Sequence, residues 1–460
     1  MEKIPVVAIF DIGKTNKKLL VFDRQYRLVH EQQVQWPEVY DDDGFRGDDL
    51  DVLTTWLRES FEELLHDERF EVRALNFSGY GASFVHLDAE GVPVTPLYNY
   101  LKTFPHALHE RFFTEYGPVE SFATQTASPD LGLLNSGLQL YWLKYAKPEV
   151  YARIEHALHL PQYASFVFTG RPVSEITSLG CHTALWDFRH RKYHRWVAAE
   201  GLHALGQMVL PSFVTLKKSA SDGPEIEIGV GMHDSSAALV PYLRAFDEPF
   251  LLLSTGTWCI TLNPFSVEPL RPDELRRDCL CYLSYRGEPV KASRLFAGSE
   301  HERATKHLAQ YFQRDETAYQ QVAFDHELLS LVRNRFQQVP PERAEWTNLK
   351  DSSFADRNLN AFSSYEEAYV QLVLDLMAQQ IASIRLARGG TPIRRLFVDG
   401  GFSRNPWYMT LLAEAFPELE VYASELAQAS ALGAALAVEA AWNSQNPFDA
   451  AQFSLKKIDI

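Results

Sequence analysis

Val6-Val7-Ala8-Ile9-Phe10-Asp11-Ile12-Gly13-Lys14-Thr15-Asn16-Lys17-Lys18-Leu19-Leu20-Val21-Phe22 is the stretch on which the reading of this chain turns. An apolar, β-branched and aromatic run breaks at six residues rich in turn formers and then resumes, the pattern of strand, tight turn and strand. The same pattern returns about 240 residues later: Phe250 to Leu253 is apolar, Ser254-Thr255-Gly256-Thr257-Trp258 interrupts, and Cys259 to Leu262 resumes. Two such units in a chain of 460 residues suggest a duplicated architecture. The length alone exceeds what one hydrophobic core usually organises. The expected domains are residues 1–244 and 245–460, the cut falling just before the second unit.

Periodicity fills in the rest. Asp49 to Leu65 has helical apolar spacing, and Val72 to Phe77 reads as a strand that ends at Ser78-Gly79-Tyr80-Gly81. Leu133 to Tyr145 and Val150 to Leu158 read as helices on either side of Pro148, and the polar Ser219 to Glu227 as a loop. Tyr365 to Arg388 is a strong helix, Leu396 to Val398 a strand, and Trp407 to Phe416 and Ala429 to Trp442 are helices, the last Ala-rich around Gly433.

Four segments carry residues suited to chemistry. In the first turn Gly13 permits a tight backbone and close approach of a ligand, Thr15 and Asn16 offer hydroxyl and amide groups, Lys14 can meet a phosphate, and Asp11 at a strand end can hold Mg²⁺ directly or through water. The same composition also suits an ordinary hairpin. Gly13-Lys14-Thr15 is not the end of a Walker A loop, because Ala8 stands where that pattern needs glycine and a strand follows in place of a helix. The second turn, with Gly256 and Thr257, repeats the logic of small hydroxyl residues and glycine around phosphate oxygens. In Gly231-Met232-His233-Asp234-Ser235-Ser236, Asp234 stands where a glycine-bearing loop enters a helix; it can cap that helix or accept a proton from a substrate hydroxyl. Finally Asp399-Gly400-Gly401 ends a strand before Asn405-Pro406 opens a helix, a turn against which a flat nucleoside can lie.

Composition excludes some partners. The formal net charge of −16 shows no basic excess for a nucleic-acid duplex. No apolar run is long enough to span a bilayer. The four cysteines, Cys181, Cys259, Cys279 and Cys281, include one C-x-C pair and no second pair at zinc-site spacing. Plain thiols and the lack of a signal-peptide layout at the start of this sequence fit a cytoplasmic protein.

Taken jointly and in this order, DIGKTN, GMHDSSAA, STGTW, and DGGFSRNPWYMTLLAE followed by ASALGAALAVEA resemble the FGGY family of carbohydrate kinases over essentially the whole chain. The resemblance implies an α/β fold of two RNase-H-like domains of the actin/hexokinase type with an interdomain active-site cleft. It implies ATP and Mg²⁺ as cofactors and a small-molecule sugar as partner, in a monomer or homodimer. Residue by residue, Asp11, Gly13, Lys14, Thr15 and Asn16 match the first phosphate loop, Gly256 and Thr257 the second, and Gly400, Gly401 and Asn405 the adenosine motif. Asp234 matches the catalytic base, and Gly81, His233, Asp234 and Ser235 match sugar-contacting positions. The His-Asp pair at 233–234 looks like the L-rhamnulose and L-fuculose kinase branch, whereas Ser83 stands where that branch carries an acidic residue. Kinases for xylulose, ribulose or glycerol, and a non-catalytic actin-like ATP-binding or sugar-sensing protein, are the alternatives.

Overall fold

The structure is a computed structural model that describes residues 3–218, 225–343, 349, 352–424, 426, 428–445, 448 and 453–459. It divides into two compact units, the first made of residues 1–247, 281–289 and 428–450, the second of 248–280, 290–427 and 451–460. A single cut at 244/245 therefore does not reproduce the units. Residues 428–450, expected with the second domain, pack within the first. Of the loop expected at Ser219 to Glu227, residues 219–224 lie outside the described residues.

The first unit contains β1 (Ile4–Ile12), β2 (Lys17–Asp23), β3 (Leu28–Val34), α1 (Leu50–His66), β4 (Phe70–Gly79), α2 (Leu160–Thr169), β5 (Thr215–Lys218), β6 (Ile226–Gly229), β7 (Met232–His233) and α3 (Asp234–Ala245). Its sheet runs β5-β6-β4-β1-β2-β3, with β7 also paired to β4. β1 and β2 are the antiparallel hairpin read from the sequence, and β4 lies parallel to β1. Both faces of β1 are covered, so Val6 to Phe10 are all buried and the strand reads as a continuous apolar run. On one face Phe10, Trp56, Phe61 and Phe77 join a single core with α1 and α2. Asp49 starts α1 by accepting hydrogen bonds from the backbone of Asp51 and Val52.

The second unit repeats the plan. Its elements are β8 (Phe250–Thr255), β9 (Cys259–Asn263), β10 (Cys279–Leu283), β11 (Pro289–Leu295), α4 (Ala297–Tyr311), α5 (Tyr365–Arg388), β12 (Arg395–Gly400), α6 (Pro406–Ala415), β13 (Glu420–Ser424) and β14 (Leu455–Lys457), with residues 281–283 of β10 and Pro289 of β11 counted in the first unit. The sheet order is β10-β11-β9-β8-β12-β13-β14. Here β8 and β9 form the hairpin, and β12 is the parallel neighbour of β8. The helix α5 spans the residues expected for it, with Ser364 as its cap, and is buried along most of its length.

Two helix expectations fail. Residues 150–158 hold only a short helix, Pro148–Tyr151, and then a strand, His156–His159, paired with Phe84–Leu87. A pairing with a distant segment overrode the local spacing there. The helix expected over 429–442 breaks at Val438 into α7 (Ala429–Ala437) and a single turn, Glu439–Trp442.

Candidate active site

In the first unit three adjacent parallel strands end together. Asp11 on β1 is in register with Ser78 on β4, and Ile12 with Gly79. Met232 and His233 on β7 align with the same two residues from the other side. The strand ends thus bring Asp11, Gly79 and His233 to one edge, and Asp234 follows as the first residue of α3. Carboxyl ends of parallel strands are where open α/β sheets place ligands.

Asp234 keeps 38% of its side chain exposed. Its Oδ1 accepts from the Ser235 backbone N–H at 2.6 Å and from the Ser235 hydroxyl at 3.3 Å. The neighbouring His233 is buried, its Nε2 3.4 Å from Asp234 Oδ1 and 3.2 Å from Cys181 Sγ. Burial lowers the basicity of His233, so the imidazole is neutral at pH 7. Its Nδ1 is buried with no hydrogen-bond partner among the described residues. Gly81 lies against the ring: a Cβ there would stand 2.9 Å from the imidazole Nε2. The glycine is therefore required by the histidine. Tyr282 adds a ring 5.9 Å from that of His233.

Asp11 accepts a hydrogen bond from the Ser430 hydroxyl at 3.0 Å. Burial, reinforced by the charge of Asp234, pushes its carboxyl up to about 6. A carboxylate held against both desolvation and a like charge suits a hard divalent cation, which would restore its ionised form. The first turn closes through the Gly13 N–H donating to Asn16 O at 2.9 Å, and a Cβ on Gly13 would meet that oxygen at 2.8 Å. Thr15 is exposed at its tip. Lys14 and Asn16 are engaged within the unit. The Lys14 ammonium is 2.8 Å from Asp48 and 3.0 Å from Glu38, and the Asn16 amide oxygen accepts from Gln33 and Gln35.

The second unit gathers the other group of residues. Its turn closes through the Gly256 N–H donating to Trp258 O at 2.9 Å, and Thr257 O accepts from the Ser299 N–H at 3.1 Å. Gly256 and Thr257 are exposed. Thr255 and Gly400 are register partners. The Thr255 hydroxyl donates to Asp399 O at 2.5 Å and accepts from the Phe402 N–H at 3.0 Å, tying the turn after β12 to the hairpin. Gly400 has φ +88°, and a Cβ there would sit 1.9 Å from Thr255 O. Gly298 is equally constrained, its Cβ position lying 1.8 Å from Gly256 O. Beside these glycines opens a cavity of about 800 Å³, lined by Gly256, Gly298, Tyr319, Gly401, Phe402 and Asn405 among others. That volume accommodates a nucleoside. Asn405 caps α6 through Tyr408 N and donates to the Tyr369 hydroxyl at 2.7 Å. Arg294 is buried; it pairs with Asp278 at 2.7 Å and covers the Trp258 ring.

The model of the FGGY family of carbohydrate kinases, N-terminal domain, matches residues 6–221, and that of the carbohydrate kinase FGGY, C-terminal domain, matches residues 247–447. The chain belongs to the FGGY family of carbohydrate kinases. Among curated relatives, a rhamnulokinase from Halalkalibacterium halodurans is 23% identical over 267 residues, 54% of this chain and 52% of that protein. One from Pectobacterium atrosepticum is 27% identical over 201 residues, 41% of this chain and 38% of that protein. The matched region thus spans about half or less of these relatives' length. A carbohydrate kinase from Novosphingobium aromaticivorans superposes with a TM-score of 0.82 at 23% identity, covering 100% of this chain and 95% of that one. A xylulose kinase from Lactobacillus acidophilus gives 0.76 at 13% identity, with 99% and 93% covered. These superpositions establish the two-domain α/β fold of the family.

Within each unit the hairpin and the strand parallel to it explain the placements. Gly81, His233, Asp234 and Ser235 come together with Asp11, Gly13 and Thr15 in the first unit; Gly256, Thr257, Gly400, Gly401 and Asn405 come together in the second. No role at the site is read from the sequence for Thr255, Gly298, Cys181, Ser430 or Asp48. Thr255 stands inside the second turn, but its ties to Asp399 and Phe402 reach far along the chain; Gly298 adjoins that turn only in space.

Proposed function

We propose that this chain is an ATP-dependent carbohydrate kinase that transfers the γ-phosphate of ATP to a hydroxyl of a ketose, with L-rhamnulose or L-fuculose as the leading acceptors. The observation that carries the reading is Asp234: a part-exposed carboxylate at a converging strand edge, beside a neutral buried histidine and a second carboxylate, Asp11. Asp234 accepts the proton of the acceptor hydroxyl as that oxygen attacks the γ-phosphorus. His233, held by Gly81 and Cys181, lines the acceptor pocket and orients a sugar hydroxyl with its ring nitrogen. Asp11 would hold Mg²⁺, which neutralises charge on the phosphate oxygens when bound. The turns at Gly13–Asn16, exposed at Thr15, and at Gly256–Thr257 present backbone N–H and hydroxyl donors to phosphate, and the cavity beside Gly401 and Asn405 takes the nucleoside.

The rhamnulokinase relatives support the named ketoses. Ser83, in place of an acidic residue, and solved neighbours described as xylulose and glycerol kinases support a second reading, a kinase for another sugar or polyol. A coupled ADP-release assay with Mg-ATP against a panel of ketoses, aldoses and polyols tests both. Asp234→Asn should lower turnover by about 10²–10⁴-fold and leave Mg-ADP affinity intact. Near-native turnover in that variant removes Asp234 as the base. No sugar-dependent ADP release from folded, ATP-binding protein removes the kinase reading.

A further inference from the structure

Asp48 takes no part in the chemistry described above, yet it is buried and holds groups from both ligand-facing loops of the first unit. Its Oδ2 lies 2.8 Å from the Lys14 ammonium and accepts from the Tyr80 hydroxyl at 2.7 Å. Its Oδ1 accepts from Lys17 Nζ at 2.7 Å, and the same ammonium donates back to Lys14 O at 3.0 Å. Lys17 is only 2% exposed and sits over the Trp36 ring. One carboxylate therefore fixes the side chain and, through Lys17, the backbone of the phosphate turn. The same oxygen that holds Lys14 also holds Tyr80, the residue before the acceptor-facing Gly81. Two further links join the loops: the Tyr80 N–H donates to Ile12 O at 3.1 Å, and the Lys14 ammonium lies 5.7 Å from the centre of the Tyr80 ring.

We propose that Asp48 is a positioning residue that couples the phosphate turn, residues 13–17, to the acceptor loop, residues 80–83. Nucleotide occupancy at the turn then steadies the acceptor loop before any sugar arrives. The mechanism is electrostatic and local. A phosphate at the turn draws on the Lys14 ammonium, and any change in the Lys14–Asp48 pair is felt by Tyr80, which shares Oδ2. In the low dielectric around a buried carboxylate such a shared acceptor transmits a change of charge strongly. This inference rests on the assignment of the first turn to the phosphates of ATP.

Hydrogen exchange read by mass spectrometry, with Mg-ADP as the only ligand, tests it without knowledge of the sugar. In the wild-type protein, saturating Mg-ADP should slow exchange at 13–17 and also, by about fivefold or more, at 80–84. In Asp48→Asn the slowing at 13–17 should persist and that at 80–84 should be lost. Tyr80→Phe removes the hydroxyl's contacts to Asp48 and Ser83 and leaves the Asp48–lysine pairs in place, so it should give the same split and guards against a general loss of structure in the first variant. Protection at 80–84 that survives in both variants overturns the coupling and assigns it to the backbone link. Protection confined to 13–17 in the wild type also overturns it, with the nucleotide reading intact. If Mg-ADP protects neither segment, the assignment of the turn to phosphate falls too.

Discussion

Thr255 is a single hydroxyl on which the second unit's ligand turn depends. It is 3% exposed, donates to Asp399 O and accepts from the Phe402 N–H. Thr255→Val keeps the shape and removes both bonds, leaving a backbone donor and a backbone acceptor without their partner. Each such loss costs about 1–3 kcal/mol, so the variant should melt earlier and bind Mg-ADP more weakly, because Gly400 and Gly401 follow directly on Asp399. Thr255→Ser retains the hydroxyl and should recover most of both properties. Equal loss in the serine and valine variants, read by thermal melting and by titration with Mg-ADP, would show that the methyl group and not the hydroxyl matters. Residues of this kind explain why the site was only partly legible in the sequence. Asp11, Asp234 and the turn glycines sit inside short motifs whose order and spacing the family shares. Thr255 lies within the second turn, yet like Gly298 and Asp48 it acts on residues far along the chain, and nothing in the neighbouring sequence marks that reach.

At the scale of elements, the crossing of α3 and α7 (Ala429–Ala437) decides which unit the second helix joins. Gly433 lies against α3 so closely that a Cβ would stand 1.8 Å from Ala237 O. At the next residue of α7 the Ala434 carbonyl accepts from the buried Asn76 amide of β4 at 2.8 Å, and Ser430 reaches Asp11. The Ala-rich character of this helix was visible in the sequence and suggested close packing, but not the partner. That partner lies nearly two hundred residues earlier in the chain, which is why a single cut could not describe the units. Gly433→Ala provides a test with a definite sign. Helix propensity alone favours alanine by about 1 kcal/mol. The backbone clash should reverse this and destabilise by about 3 kcal/mol, lowering the melting temperature. Gly401→Ala is the control, since no atom lies within 4 Å of the added Cβ; its stability should be close to that of the parent. A stabilised Gly433→Ala protein would mean that α3 and α7 do not meet as closely as described.

For the molecule as a whole, acid sensitivity follows from histidines buried in the neutral form. His86 and His159 in the first unit are pushed down by burial to about 3, and His301 in the second to about 4. In the unfolded chain each protonates near its ordinary value of 6.5. Below that pH the unfolded state binds more protons than the native state, so stability falls as pH falls from about 6.5 toward 3. At pH 5 each histidine should contribute a loss of about 2 kcal/mol relative to pH 8. Asp11 acts in the opposite sense. Its carboxyl is raised to about 6, so the native state takes up a proton first and gains stability between about pH 6 and the ordinary carboxylate range. The three histidine losses together exceed the gain from Asp11; the carboxyls of Glu175 and Asp375, also raised by burial, and the relief of charge repulsion as a chain of net charge −16 approaches its isoelectric point near 5.4 act against them. Substitution separates these contributions. His86 bonds Thr95 through Nδ1 at 2.8 Å, an atom that an asparagine amide imitates, and His159 bonds Ser136 through Nε2 at 3.0 Å, which glutamine imitates. Chemical denaturation at pH 8 and pH 5 should show the loss between the two reduced by about 2 kcal/mol in His86→Asn and again in His159→Gln, whatever each change costs at pH 8. An unaltered pH dependence in both variants would place the acid sensitivity in the carboxylates.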